Sequence, residues 1–131
     1  MNNIIKYRII AVLKNKHKVF KENYLILMMV ILLTVFAFLQ LNDPDALLWT
    51  AIYLFAACLC LLAMYQKLWR WLTVVSSLLF MAGAIRQWPD VYKGITGTMH
   101  NNPEIELARE SLGLVICAVF VTVSFFLQKK K

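Results

Sequence analysis

Two stretches of this chain carry no charge, and they constrain its fold more than any other feature. Residues 24–41 run for 18 residues without Asp, Glu, Lys or Arg, and residues 46–66 for 21. An α-helix rises about 1.5 Å per residue, so about 20 apolar residues cross the roughly 30 Å hydrocarbon core of a bilayer. Each run is therefore a candidate membrane span. Between them lies Leu39-Gln40-Leu41-Asn42-Asp43-Pro44-Asp45-Ala46-Leu47-Leu48-Trp49, a short polar hairpin that places two carboxylates where the chain turns at the membrane surface.

Composition agrees. The 131 residues are 61% hydrophobic and only 16% charged, with mean hydropathy +0.66. A water-soluble domain of this length would carry more charge and shorter apolar runs. The net charge of +7 does not imply nucleic acid, because the basic residues gather at the ends of apolar runs. Cys58, Cys60 and Cys117 all fall inside expected spans and form no C-x-x-C. They read as small helix-contact residues rather than as disulfide, zinc or redox groups.

Residues 1–23 form a basic leader with Lys6, Arg8, Lys14, Lys16, Lys18 and Lys21. Its apolar core, Ile9 to Leu13, is too short to span. Ile5, Ile9, Val12 and Phe20 make an imperfect helical stripe, compatible equally with a helix on anionic lipid and with a solvated tail. Phe38-Leu39-Gln40 offers no small-x-small cleavage site, so an uncleaved anchor is expected. Residues 24–128 then form the transmembrane domain, with spans at about 24–41, 47–65, 69–86 and 107–128, and residues 129–131 a basic tail. Asp43 is expected to cap the second helix, with Pro44 at its first position and Asp45 near the positive end of its dipole. Gln87 to Asn102 is the longest loop, broken by Pro89, Gly94 and Gly97, and Asn102-Pro103-Glu104 restarts a helix in the same way.

Four crossings put both termini on one side. That side holds eleven of the fourteen Lys and Arg residues and one acid, Glu22; the other holds Arg86, Lys93 and Arg109 against six acids. The expected fold is an all-α four-helix transmembrane bundle, and the positive-inside rule places both its termini in the cytoplasm. A bacterial inner (plasma) membrane is the expected location. Trp69, Trp71, Tyr24 and Tyr65 fall at one interface and Trp49 and Trp88 at the other, as interfacial aromatics should.

Helical periodicity suggests where the outer charges point. Below Asp45, one face carries Trp49, Ile52, Ala56, Cys60 and Ala63; below Arg86 lie Gly83, Ala82 and Leu79; below Glu106 come Arg109, Glu110, Gly113, Cys117 and Ser124. Small residues mark helix contact in membranes. Asn42, Asp43, Asp45, Arg86, Glu106, Arg109 and Glu110 are thus expected to converge at the outer end. The plainer reading, and the first, is that they cap helices and pair as ions at a wet interface; the sharper one is a ligand, lipid-headgroup or partner site. Two arginines among the acids weaken a cation site, and His100 is a lone histidine in the outer loop, so no metal and no cofactor are expected.

The hairpin Gln40-Leu41-Asn42-Asp43-Pro44-Asp45-Ala46, with Trp49 and Tyr53, resembles the signature of the transmembrane protein 220 family. Arg109-Glu110 followed by Gly113-Leu114-Val115-Ile116, and preceded by Glu106, resembles a second stretch of that signature. The resemblance covers roughly residues 24–128 and excludes the basic leader. It implies a small four-helix integral membrane protein and carries no established activity. It marks Asn42, Asp43, Pro44, Asp45, Arg109, Glu110 and Gly113 as motif positions.

Three functional classes remain. The first is a non-enzymatic scaffold, accessory subunit or lipid- or ligand-binding module, working in the bilayer, with anionic lipid at the leader, and as a homo-oligomer or in a larger membrane complex. The second is a small enzyme at the outer leaflet, with Asp43, Asp45, Glu106 or Glu110 as acid or base and Arg86 or Arg109 holding an anion. The sequence pairs no nucleophile with a base, no two reactive cysteines, and no histidine inside a span for haem. The third is an oligomeric channel or transporter, against which stands the lack of an ionisable residue deep in any span. The first is the expected function.

Overall fold

The charge-free runs become helices. The computed structural model describes residues 3–97 and 102–128. Among them are α1 (Asn3–Leu39), a 3-10 turn (Gln40–Asn42), α2 (Ala46–Met64), α3 (Arg70–Arg86) and α4 (Pro103–Leu127), with no strand. His100 and Lys129 to Lys131 lie outside the described residues. Helices α1, α2 and α4 are long and apolar enough to cross a membrane by length and composition. The molecule is an all-α integral membrane protein. Helix α3 has 17 residues, about 25 Å of helix. Its outward faces are as greasy as those of the others, with Leu79 67% and Ile85 74% exposed.

The leader is helical and continuous with the first span. No Gly or Pro occurs before Pro44, so nothing in the sequence stops the helix at the junction. The result is a 37-residue α1, about 55 Å long. Its buried residues, Ile26, Leu33 and Ala37, all lie in the second half.

The turn into α2 differs from expectation. Asp45, not Asp43, is the N-cap of α2. Asp43 instead ends the 3-10 turn in extended conformation, and its carbonyl accepts the Ala46 N–H at 3.1 Å. Residues 43–46 therefore close a hydrogen-bonded β-turn. Asp at its first position and Pro at its second are the residues such a turn favours. Pro44 serves that turn rather than the helix start. At α4 the expectation holds: Asn102 is the N-cap, Pro103 opens the helix, and Glu104 and Glu106 occupy its first turn.

The helices alternate in direction. The Gln128 side-chain amide donates to the Leu68 carbonyl at 2.7 Å, tying the end of α4 to the α2–α3 turn. At the opposite end, the Ser111 hydroxyl donates to the Ala84 carbonyl at 2.7 Å. The main pairings are α1 with α2, α3 with α4, and α2 with α4, while α1 also touches α4. The centre of the bundle is the α2–α4 seam, where Ala56, Cys60 and Ala63 face a stripe including Gly113, Cys117 and Ser124, all buried. Small side chains let these backbones approach, which replaces the hydrophobic drive that lipid surroundings remove.

Hydroxyls inside the bundle are satisfied locally. Thr34, Thr73, Ser76 and Thr122 donate to carbonyls of their own helices, as helix-embedded Ser and Thr commonly do. Thr50 reaches across to the Ala37 carbonyl of α1 at 3.2 Å, and Ser77 pairs with Thr122 at 2.9 Å between α3 and α4.

Candidate functional site

At the hairpin end, the C-terminus of α1, the 3-10 turn and the first half of α4 surround a cleft of about 560 Å³. Its floor is set by one glycine. Tyr53, on the second turn of α2, is 3% exposed, and its hydroxyl occupies the space where a Cβ on residue 113 would sit. Gly113 is thus required by close approach of a side chain rather than by backbone conformation. Phe36 of α1 meets the Tyr53 ring edge-on at 5.8 Å, and Gln40 lies beside the Tyr53 hydroxyl.

The walls change character along the bundle axis. Deep in the cleft are Phe36, Leu112 and Ile116; toward the rim are Gln40, Asp43, Glu106, Arg109 and Glu110. This order follows from helix direction, since α1 runs toward the rim and α4 away from it. Leu39 and Ile95 complete the apolar part.

Glu110 is the most connected acid. It is half-buried, accepts a hydrogen bond from the Gln87 amide at 3.0 Å, lies beside the Trp49 indole, and feels the charges of Glu106, Asp45 and Asp43. Arg109 does not answer those acids. Its Nε donates to the Ile95 carbonyl at 2.8 Å and its Nη2 to the Gly97 carbonyl at 3.4 Å. It therefore holds the α3–α4 loop against α4 and keeps Ile95 over the cleft. The loop can wrap this way because Gly94 and Gly97 adopt φ of 90° and 143°, a region that strains other residues.

The expected convergence forms in part. Asp43, Glu106, Arg109 and Glu110 share the cleft. Asp45 is exposed at the start of α2, outside the lining, yet near enough for its charge to act on Glu110. Asn42 is exposed on the 3-10 turn and lines no part of the cleft. Arg86 is exposed and faces a separate groove between α2 and α3. The inward stripe of α3 is Thr73, Ser76, Phe80 and Ala84, which continues to Gln87 and not to Arg86. One residue is about 100° of rotation on a helix, so Gln87 reaches Glu110 while Arg86 points away. Among the described residues, the ion pairs are Lys18 with Glu22 at 3.9 Å and Lys93 with Glu104 at 3.2 Å. Among the described residues neither Arg86 nor Arg109 pairs with an acid, whereas Lys93 does.

Sequence reasoning passed over Gln40, Tyr53, Gln87 and Phe36 as site residues. Tyr53 had a signal, standing one helical turn below Trp49 on the inward face of α2. Gln87 had one too, through the spacing of Thr73, Ser76, Phe80 and Ala84. Among the described residues, no group of three or more His, Cys, Asp or Glu side chains is arranged to hold a metal ion.

A family model described as "Transmembrane family 220, helix" matches residues 32–126. That span contains every residue of the cleft. No curated protein and no solved structure gives a significant match to the chain.

Proposed function

Because the chain belongs to transmembrane family 220, we propose that it acts as a non-enzymatic membrane module, a scaffold or accessory subunit whose cleft holds an amphiphilic ligand. The observation that carries this reading is the polarity gradient of the cleft, acidic at the rim and hydrocarbon-lined between α1 and α4. Such a gradient matches a molecule with one charged end and one apolar end lying along the bundle axis. The sign of the charged end follows from the rim. Asp43, Glu106 and Glu110 line it, Asp45 lies close by, and the Arg109 guanidinium is turned onto two carbonyls. A cationic headgroup such as an ammonium complements it.

Charge distribution supports the orientation. Among the described residues the hairpin end carries six of the seven acids and the other end eight of the fourteen basic residues, with Lys129 to Lys131 following α4 in the sequence. The positive-inside rule assigns that basic end to the cytoplasm. In this reading α3 is the fourth crossing, shortened and anchored by Trp69 and Trp71 at one end and Arg86 at the other. The cleft then opens at the non-cytoplasmic face of an inner (plasma) membrane. Among the described residues its lining holds one hydroxyl, Tyr53, three carboxylates and no thiol.

Native mass spectrometry of protein released from mixed nanodiscs tests this. With Lys6, Lys14, Lys16, Lys18 and Lys21 changed to Gln, so that the basic leader no longer draws anionic lipid, phosphatidylethanolamine should be retained over phosphatidylglycerol. Adding Glu106→Gln with Glu110→Gln should abolish the preference. Equal retention of both lipids in that leader-neutral background would overturn the reading. The same spectra report whether a second copy or another protein travels with it.

A further inference from the structure

The first twenty residues of α1 present a different problem. Residues 3–18 are exposed throughout, and the first fully buried side chain is Ile26. This segment carries Ile5, Ile9, Val12, Leu13 and Phe20, which are 50%, 48%, 66%, 60% and 76% exposed. If it stood up as a lone helix in water, those side chains would stay hydrated at a cost proportional to their area. An occupant that covered them would remove that cost.

At 100° per residue, Ile5, Ile9, Val12, Leu13, Val19 and Phe20 fall within one third of the helix circumference. Lys14, Lys18 and Lys21 fall on the other side, with Ile4, Tyr7 and Ile10 among them, and Lys6 and Arg8 flank the apolar third. Six basic residues stand against one acid, Glu22, and that acid already faces Lys18. Lys67 and Arg70, exposed in and beside the α2–α3 turn, add two more cations at the same end of the bundle.

Charge selects the occupant. A second copy of this helix would set two strongly basic arms side by side. A coiled-coil seam through Ile5, Ile9, Val12 and Val19 would also place Lys16 in its core. An anionic membrane surface attracts the same charges and lets Lys16 extend its ammonium into the headgroups from an apolar face. We infer that residues 3–22 form a surface arm for anionic lipid, which leaves the continuous α1 seen here by unwinding at Asn23, a weak helix former between Glu22 and Ile26, so that it lies along the headgroups. This inference rests on the arm alone and is independent of the cleft.

The test uses the full chain in nanodiscs of phosphatidylcholine with or without phosphatidylglycerol. Spin labels at Val12→Cys or Lys14→Cys, with Cys58, Cys60 and Cys117 replaced by Ala, report depth through relaxation by oxygen and by a water-soluble nickel chelate. With phosphatidylglycerol, the Val12 label should favour oxygen and the Lys14 label nickel. Without it, at high salt, both should favour nickel. Each of Lys6, Lys14, Lys18 and Lys21 changed to Gln should lower the ratio of lying to projecting arms about fivefold. Unmodified protein gives a second reading that needs no cysteine-free background: trypsin cleavage at Lys14, Lys16 and Lys18 should slow at least tenfold in the phosphatidylglycerol discs. A Val12 label open to nickel in anionic discs, unchanged trypsin rates, or spin–spin broadening between copies would each overturn the inference.

Discussion

The two ends of this bundle are built on opposite principles. At the hairpin end the helices interlock: Phe36 on Tyr53, Tyr53 over Gly113, Ser111 on Ala84, Gln87 on Glu110 and Arg109 on the loop. At the other end, α1 continues past its neighbours with its side chains in the open, and Gln128 on Leu68 is the tertiary hydrogen bond that holds α4 to the α2–α3 turn. Interlocking fixes geometry, which a binding cleft needs. An open charged arm fixes nothing by itself and takes its conformation from what it meets. The comparison predicts that substitutions at the hairpin end cost stability and shape, while those at the arm end change surface binding or relieve local strain.

The largest effect belongs to Gly113. A methyl there collides with the Tyr53 hydroxyl, and Tyr53 is held by burial and by the Phe36 ring. Gly113→Ala should lower thermal stability in detergent by about 1–3 kcal/mol, and Gly113→Val by more. Tyr53→Phe removes the colliding oxygen, so the double variant Tyr53→Phe/Gly113→Ala should recover most of the loss. Strictly additive losses would mean that Gly113 matters for another reason. Next comes Ser111→Ala, which frees the Ala84 carbonyl from its side-chain donor between α3 and α4. The expected loss is about 1 kcal/mol, read in the same melting assay.

Arg109→Lys tests whether the loop is held by geometry or by charge. A lysine keeps the charge but cannot span the Ile95 and Gly97 carbonyls with one planar fork. Amide exchange in residues 93–97 should speed up about tenfold while the spans stay protected, and ligand retention should fall as Ile95 leaves the cleft. Unchanged exchange would show that the glycine backbone holds the loop unaided.

These substitutions also mark what the sequence could and could not reveal. The helices were legible because charge-free length is a one-dimensional signal, and α2 and α4 kept their inward faces because their small residues recur at helical spacing. The hairpin was legible as a turn but not in register. Asp43-Pro44 suits a β-turn and a helix start equally, and only the Ala46–Asp43 hydrogen bond separates them. Arg86 was misplaced because α3 is apolar nearly all round. Gly83, Ala82 and Leu79 beneath it read as a contact face, although the buried stripe runs through Thr73, Ser76, Phe80 and Ala84. Hydroxyls and Ala84 marked the inward side there, while Ala82 and Leu79 face outward. The turning of Arg109 onto carbonyls depends on a loop path that no local pattern encodes.

A smaller and opposite effect is expected at the arm end. Gln66 takes φ of 60° where α2 stops, while the Gln66 and Lys67 amides bond back to Ala63 and Leu62 at 2.9 and 2.8 Å. This is a Schellman-type helix end, whose left-handed position normally holds glycine. Gln66→Gly should therefore stabilise the bundle by about 0.5–1 kcal/mol. A loss of stability would mean that the Gln66 side chain makes a contact that outweighs the strain.

The smallest effect distinguishes rim from floor within the hairpin end itself. Lys93 and Glu104 approach to 3.2 Å, but their side chains are 47% and 30% exposed. Water and salt screen such a pair, and ordering two long side chains offsets most of what remains. Lys93→Ala should change stability by less than about 0.5 kcal/mol and leave amide exchange of the loop unchanged, because Arg109 rather than Lys93 holds Ile95 and Gly97. Measured beside Arg109→Lys, it separates two cations that border the same loop. Should Lys93→Ala loosen the loop as much as Arg109→Lys does, then charge at the rim, and not the guanidinium bridge to backbone carbonyls, would be what keeps the cleft covered.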